Sequence, residues 1–137
     1  MKFLSLILIL SSSLASAADL TVKITNLKSD KGQIFVALWD SAKGFPKDYT
    51  QAVDQLINPA NQPTFKFENL KSGKYAIAVF HDKNSDGELN TNAIGIPKEA
   101  FGFSNNPRLM FGPPSFKKAS FIIVNDNIAK TIKLKYF

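Results

Sequence analysis

The sequence predicts an all-β domain: an antiparallel β-sandwich of six to seven strands, with a short helix and a long Phe-, Gly- and Pro-rich loop packed on it. Three observations carry that expectation. Short apolar stretches of strand length recur, with turn residues between them. Two of these stretches are apolar on both faces, so their sheet needs a cover on each side. The chain has no Cys, so a packed core rather than disulfides must hold it.

The first residues read as an export signal. Met1-Lys2 supplies a positive charge, Phe3 to Leu10 is apolar but for Ser5, and small residues follow to Ala15-Ser16-Ala17. That order predicts a secretory signal peptide over residues 1–17, cleaved after Ala17. Its apolar core is too short for a bilayer, which needs about 20 residues. No Cys follows for a lipid anchor, and no second stretch is long enough to span a membrane. Of 137 residues, removal of 17 leaves 120, a single domain over 18–137. Export without Cys points to a bacterial periplasmic or secreted protein. The net charge of +6 falls to +5 with Lys2 gone, and the lysines read as scattered over a solvated exterior. Export argues against nucleic acid as a partner and leaves an unknown envelope or extracellular ligand.

In "DLTVKITNL", Leu20, Val22 and Ile24 alternate with Thr21, Lys23 and Thr25, as in a half-buried strand. After the Lys31-Gly32 turn, "QIFVALW" (33–39) is apolar on both faces and reads as a central strand. "KDYTQAVDQLI" sets Tyr49, Val53, Leu56 and Ile57 at helical spacing between Pro46 and Pro59, which predicts a short amphipathic helix. "TFKFENL" alternates again, and Ser72-Gly73 leads into "KYAIAVFH", a second two-faced strand. The interruption from Asp82 to about Lys117 is long enough to be functional or packed on itself. The short helix and this loop are the only candidates to cover the outer face of the two-faced strands. Last, "ASFIIV" and "AKTIKLKYF" predict a hairpin around Asn125-Asp126-Asn127, with Lys133 and Lys135 pointing outward from a sheet edge.

Chemistry concentrates in "HDKNSDGELNTN". Calcium takes six to eight oxygens, which a loop delivers from alternate positions with a Gly for the sharp turn. Asp82, Asn84, Asp86, Gly87, Glu88 and Asn90 fit positions one, three, five, six, seven and nine of such a loop. Position twelve is Ala93, where a bidentate Glu belongs, and a strand rather than a helix precedes. The loop is therefore not an EF-hand, but it would hold calcium with a later ligand such as Glu99. The competing reading is a capped turn in which Asn and Asp bond their own backbone.

"SGKYAIAVFHDKNSDGELNTNAIGIPKEAFGFSNN" followed by "GPPSFKKASF" resembles the signature of the domain of unknown function 2141 family, exported bacterial proteins. The resemblance spans nearly all of the chain after residue 17. It implies an Ig-like fold similar to transthyretin-like and carboxypeptidase-regulatory-like sandwiches, most of which are accessory or binding modules, and it implies no assigned activity. Family members often show Asp at the ninth loop position, where this chain has Asn90.

Catalysis has thin support. His81 is the one His, beside Asp82, and a hydrolase would need it to meet Ser104 or Ser115, neither of which sits in a nucleophile elbow. A single His without Cys also makes a poor transition-metal site. In the long loop, Phe103, Asn105, Asn106, Arg108 and Phe111 are candidates for ligand binding. The expected function is a non-enzymatic binding or accessory module, with calcium as the possible cofactor. An assembly role through sheet edges is the runner-up, and a hydrolase using His81 the distant third.

Overall fold

The computed structural model describes residues 17–84, 99–109 and 111–136. Among them eight strands form two sheets: β1 (Ala17–Thr25), β2 (Gln33–Trp39), β3 (Asp54–Pro59), β4 (Thr64–Lys71), β5 (Gly73–Asp82), β6 (Phe101–Phe103), β7 (Phe121–Ile123) and β8 (Ile128–Lys133). One sheet has the order β4-β1-β8; the other runs β3-β2-β5-β6, with β7 also paired to β5. All pairings are antiparallel except β1 with β8. The chain is an all-β sandwich.

The alternating residues of β1 and β4 make one inner face, where Leu20, Val22, Ile24, Phe65 and Phe67 are buried against Ile34, Val36, Leu38, Ile77 and Val79 of β2 and β5. The opposite face of β2 and β5 is buried too. There Ala37, Trp39, Ala78 and Phe80 lie under Phe45, Tyr49, Phe101, Phe103, Leu109 and Phe116. Phe35 stacks flat on Phe80 with centroids 4.7 Å apart, and Phe45 meets Trp39 edge-on at 5.2 Å. The expected outer cover is present, supplied by the 41–52 segment and by the described part of the long loop.

The helix expected over residues 47–57 does not form. Tyr49–Gln51 is a single 3₁₀ turn, capped by the Asp48 side chain, and β3 follows. Tertiary pairing decides the matter. β2 has an open edge whose backbone groups need partners, and β3 fills it from Gln33↔Pro59 to Leu38↔Asp54. A helix so short has little stability of its own to set against that ladder. The helical spacing arose from residues of different elements: Tyr49 lies in the 3₁₀ turn and Val53 ahead of β3, while in β3 Leu56 packs on the inner core and Ile57 stays half-exposed.

The expected C-terminal hairpin is likewise replaced. β7 pairs with β5 and β8 runs parallel to β1, so the 124–127 connection changes sheets. Asn125, at φ 55°, forms the corner, and its Oδ1 accepts from Ser72 Oγ at 2.8 Å. β8 is indeed an outermost strand, with Lys133 exposed. The long interruption contributes a strand of its own, β6, and a short helix, α1 (Phe116–Ala119), capped by Ser115.

The two sheets are stitched at one side. Phe101 and Lys135 exchange backbone hydrogen bonds of 3.2 and 2.8 Å, which carries pairing from β6 across to the chain beyond β8. Gly102 permits this approach: a Cβ there would lie 2.7 Å from Ile132 Cγ2 and 3.2 Å from the Lys133 carbonyl oxygen. Replacing Gly102 with Ala is expected to cost about 1–3 kcal/mol in urea unfolding, as overpacking does. An unchanged midpoint would show that β6 and β8 are not in contact.

Burial pushes the Tyr49 phenol up to about 12. The folded chain therefore holds this proton more tightly than the unfolded one, so stability is full below about pH 10 and falls as pH rises from there to 12. Tyr49→Phe is expected to remove up to about 2–3 kcal/mol of that alkaline loss, read as a flatter midpoint-against-pH curve above pH ~10.

Candidate functional site

The end of β5 is where the apolar strand turns polar. His81 and Asp82 are both buried, Asp82 with no exposed surface at all (0%). Each is held from the neighbouring β2 turn. Gln33 Nε2 donates to Asp82 Oδ2 at 3.1 Å, and His81 Nε2 donates to the Lys31 carbonyl at 2.6 Å. Gly32, at φ +75°, lies so close that a Cβ would stand 2.1 Å from the Asp82 carbonyl oxygen. Only Gly fits between the turn and the strand end. The base of the 82–99 loop is thus gripped before the loop begins.

The loop's return is fixed as well. His81 N donates to the Ala100 carbonyl at 2.9 Å, extending the β5–β6 register Phe80↔Phe101 by one pair. Continued one residue further, that register sets Glu99 opposite Asp82. Two of the six residues expected to ligate calcium, far apart in sequence, therefore flank the His81–Ala100 hydrogen bond at the loop's neck. Asn84 is exposed and Glu99 half-buried. Asp86, Glu88 and Asn90 lie outside the described residues. Among the described residues no group of three His, Cys, Asp or Glu side chains assembles as a metal cluster.

The five residues proposed for ligand contact separate into two kinds. Phe103 is buried in the outer cover, in contact with Phe45 and Phe101. Asn105 and Asn106, both at positive φ, are braces. Asn105 Nδ2 donates to the carbonyls of Lys118 (3.1 Å) and Ser120 (2.8 Å). Asn106 treats β8 as a strand would: Nδ2 donates to the Thr131 carbonyl at 3.0 Å and Oδ1 accepts from Lys133 N at 2.8 Å. Arg108 and Phe111 remain outside, Phe111 with 99% of its surface exposed.

The serines have structural partners. Ser104 Oγ accepts from Ile77 N at 2.9 Å and donates to the Ala119 carbonyl, while Ser115 Oγ accepts from Lys118 N at 3.2 Å. Ile77 is four residues from His81 along β5, about 13 Å of strand, so Ser104 and His81 occupy separate neighbourhoods. Ser104→Ala would leave a buried backbone amide and carbonyl unpaired, a loss of about 1–3 kcal/mol in chemical unfolding. Full retention of stability would show that water replaces the hydroxyl.

What sequence reasoning missed is the clamp of Lys31, Gly32 and Gln33. A signal was present: "KG" ahead of a two-faced strand is a turn, and the β2–β5 register places it beside Asp82.

A family model described as "Uncharacterized protein conserved in bacteria (DUF2141)" matches residues 22–131. The chain belongs to that family. No curated protein and no solved structure matches it.

Proposed function

We propose that this member of an uncharacterised bacterial family is an exported, non-enzymatic accessory module. Its 82–99 loop is braced by calcium, and its contact surface is the loop tip bearing Arg108 and Phe111. The observation that carries the reading is the neck of the 82–99 loop, where the hydrogen bond from His81 N to the Ala100 carbonyl brings the fully buried Asp82 and Glu99 to its two sides. Carboxylates brought to one neck from distant parts of the chain supply the hard oxygen donors that calcium takes. The motif then offers Asn84, Asp86, Glu88 and Asn90 as further oxygen donors at suitable spacing. The clamp on Asp82 lowers the ordering cost of binding, because the first ligand is already in place.

The accessory reading, as against a hydrolase, is supported by the separate partners of Ser104 and Ser115 and by the four strand positions between His81 and Ile77, to which Ser104 is bound. A general base needs a free ring nitrogen within reach of its nucleophile.

With few carboxylates the affinity belongs to the extracellular range, about 10⁻⁴ to 10⁻³ M. A few millimolar calcium should then raise the thermal midpoint by about 5 °C over the chain in excess EDTA. Asp86→Ala should abolish the rise. A midpoint indifferent to calcium at about 10 mM would sink the brace and leave the loop a capped turn.

A further inference from the structure

Charge is unevenly divided along this chain. Six of the 17 basic residues lie beyond Ala100, namely Arg108, Lys117, Lys118, Lys130, Lys133 and Lys135, against one of the 11 acidic ones, Asp126. Read along the sequence these cations look scattered; the fold collects them. The three-residue stretch Asn105-Asn106-Pro107 is bonded to the ammonium groups of Lys130 and Lys135 and to the backbone of Lys118 and Lys133. Asn105 bonds the Lys118 carbonyl through Nδ2 and receives Lys130 Nζ on Oδ1 at 3.5 Å. Asn106 takes Lys133 N, and the Pro107 carbonyl takes Lys135 Nζ at 2.6 Å. Arg108 follows directly.

These positive charges are not neutralised within the described residues. The ion pairs found there join Lys66 to Asp19 and Glu68. Lys130 and Lys135 meet neutral oxygens, and Arg108, Lys117, Lys118 and Lys133 are exposed. Three residues on from Arg108, Phe111 stands fully exposed beside Gly112, whose neighbourhood is open space, and the exposed Pro113. The segment carrying it is anchored at both ends, because Leu109 and Phe116 are seated in the outer apolar cluster. Phe111 is thus an apolar point between two residues seated in the outer cluster, within about 11 Å of chain from Arg108 and about 21 Å from Lys117.

We infer that Phe111 and the basic face gathered around Asn105–Pro107 form a docking surface for an anionic lipid bilayer. Charge complementarity selects an anionic partner. Phe111, the single fully exposed aromatic among the described residues, selects a bilayer: an isolated Phe can enter the headgroup boundary while lysines contact phosphates. A single-stranded nucleic acid would instead want several exposed rings for successive bases, and here Phe101 and Phe103 are buried. The inference rests on reading Arg108 and Phe111 as a contact surface, and it names what that surface meets.

The test is co-sedimentation with vesicles of phosphatidylcholine alone, and with vesicles in which about a third of the lipid is phosphatidylglycerol. The protein should sediment with the second kind at low salt and come off as salt rises. Each basic residue near such a surface contributes about fivefold in partition, so Lys117→Glu with Lys118→Glu should lower binding more than tenfold. Phe111→Ser should lower it about tenfold while leaving the salt dependence in place. These positions are exposed, so the variants should keep the parent thermal midpoint. Failure to sediment with phosphatidylglycerol vesicles, equal binding to neutral ones, or indifference to both variants overturns the inference. Binding to heparin without binding to vesicles overturns it as well. None of these outcomes touches the calcium response of the 82–99 loop, so the two readings fail separately.

Discussion

The rest of the structure depends on the burial of β5 on both faces. From Tyr75 to Asp82 every residue of this strand is buried, and it pairs with β2, β6 and β7. A strand in that position cannot tolerate an uncovered face or an unpaired backbone group. One cover is the β4-β1-β8 sheet. The other is improvised from loops: Phe45 and Tyr49 on one side, Leu109 and Phe116 on the other, with Phe101 and Phe103 of β6 between. The two segments that looked like interruptions are therefore the second wall of the sandwich.

Covering a sheet with loops raises the question of what fixes the loops. Here asparagine does much of it. Asn69, Asn105, Asn106 and Asn125 all sit at positive φ, where Asn is tolerated better than most residues. Asn105, Asn106 and Asn125 also use their side-chain amides to bond distant segments. Asn106 gives β8 the two hydrogen bonds that a further strand would give, and so blunts a sheet edge that outward lysines alone would only discourage.

Much of this fold was legible in the sequence. The alternation in β1 and β4 and the double apolarity of β2 and β5 gave their strands correctly, and the double apolarity also required the outer cover. β6 and α1 lay unseen in the stretch expected to be a loop, and in two further places tertiary pairing overrode a local pattern. Tyr49, Val53, Leu56 and Ile57 have helical spacing, yet the open edge of β2 draws residues 54–59 into a ladder. Ile123 and Ile128 flank a turn that would suit a hairpin, yet each strand finds a longer-range partner in β5 or β1. At the candidate site the motif showed which residues carry oxygen. It could not show that Gly32 and Gln33, some fifty positions earlier, clamp the first of them; Gln33 and Asp82 are 49 residues apart.

The polar end of β5 follows from the same burial that shapes the core. Once β2 and β6 have paired along it, the strand delivers His81 and Asp82 into a place without water, and each must be satisfied there. The Lys31 carbonyl and the Gln33 amide serve that need, and in doing so they hold the neck of the 82–99 loop in one geometry. The 104–114 loop is set by a parallel logic at the other end of β6, where Ser104 and the two asparagines are tied to neighbouring backbone while the side chains of Arg108 and Phe111 face outward. Each loop leaves the sandwich from a point where β6 is locked to β5. A short strand of three residues therefore positions both surfaces on which a function is proposed. The close fit of Gly102 against Ile132, which seats that strand, matters to them as much as any residue within either loop.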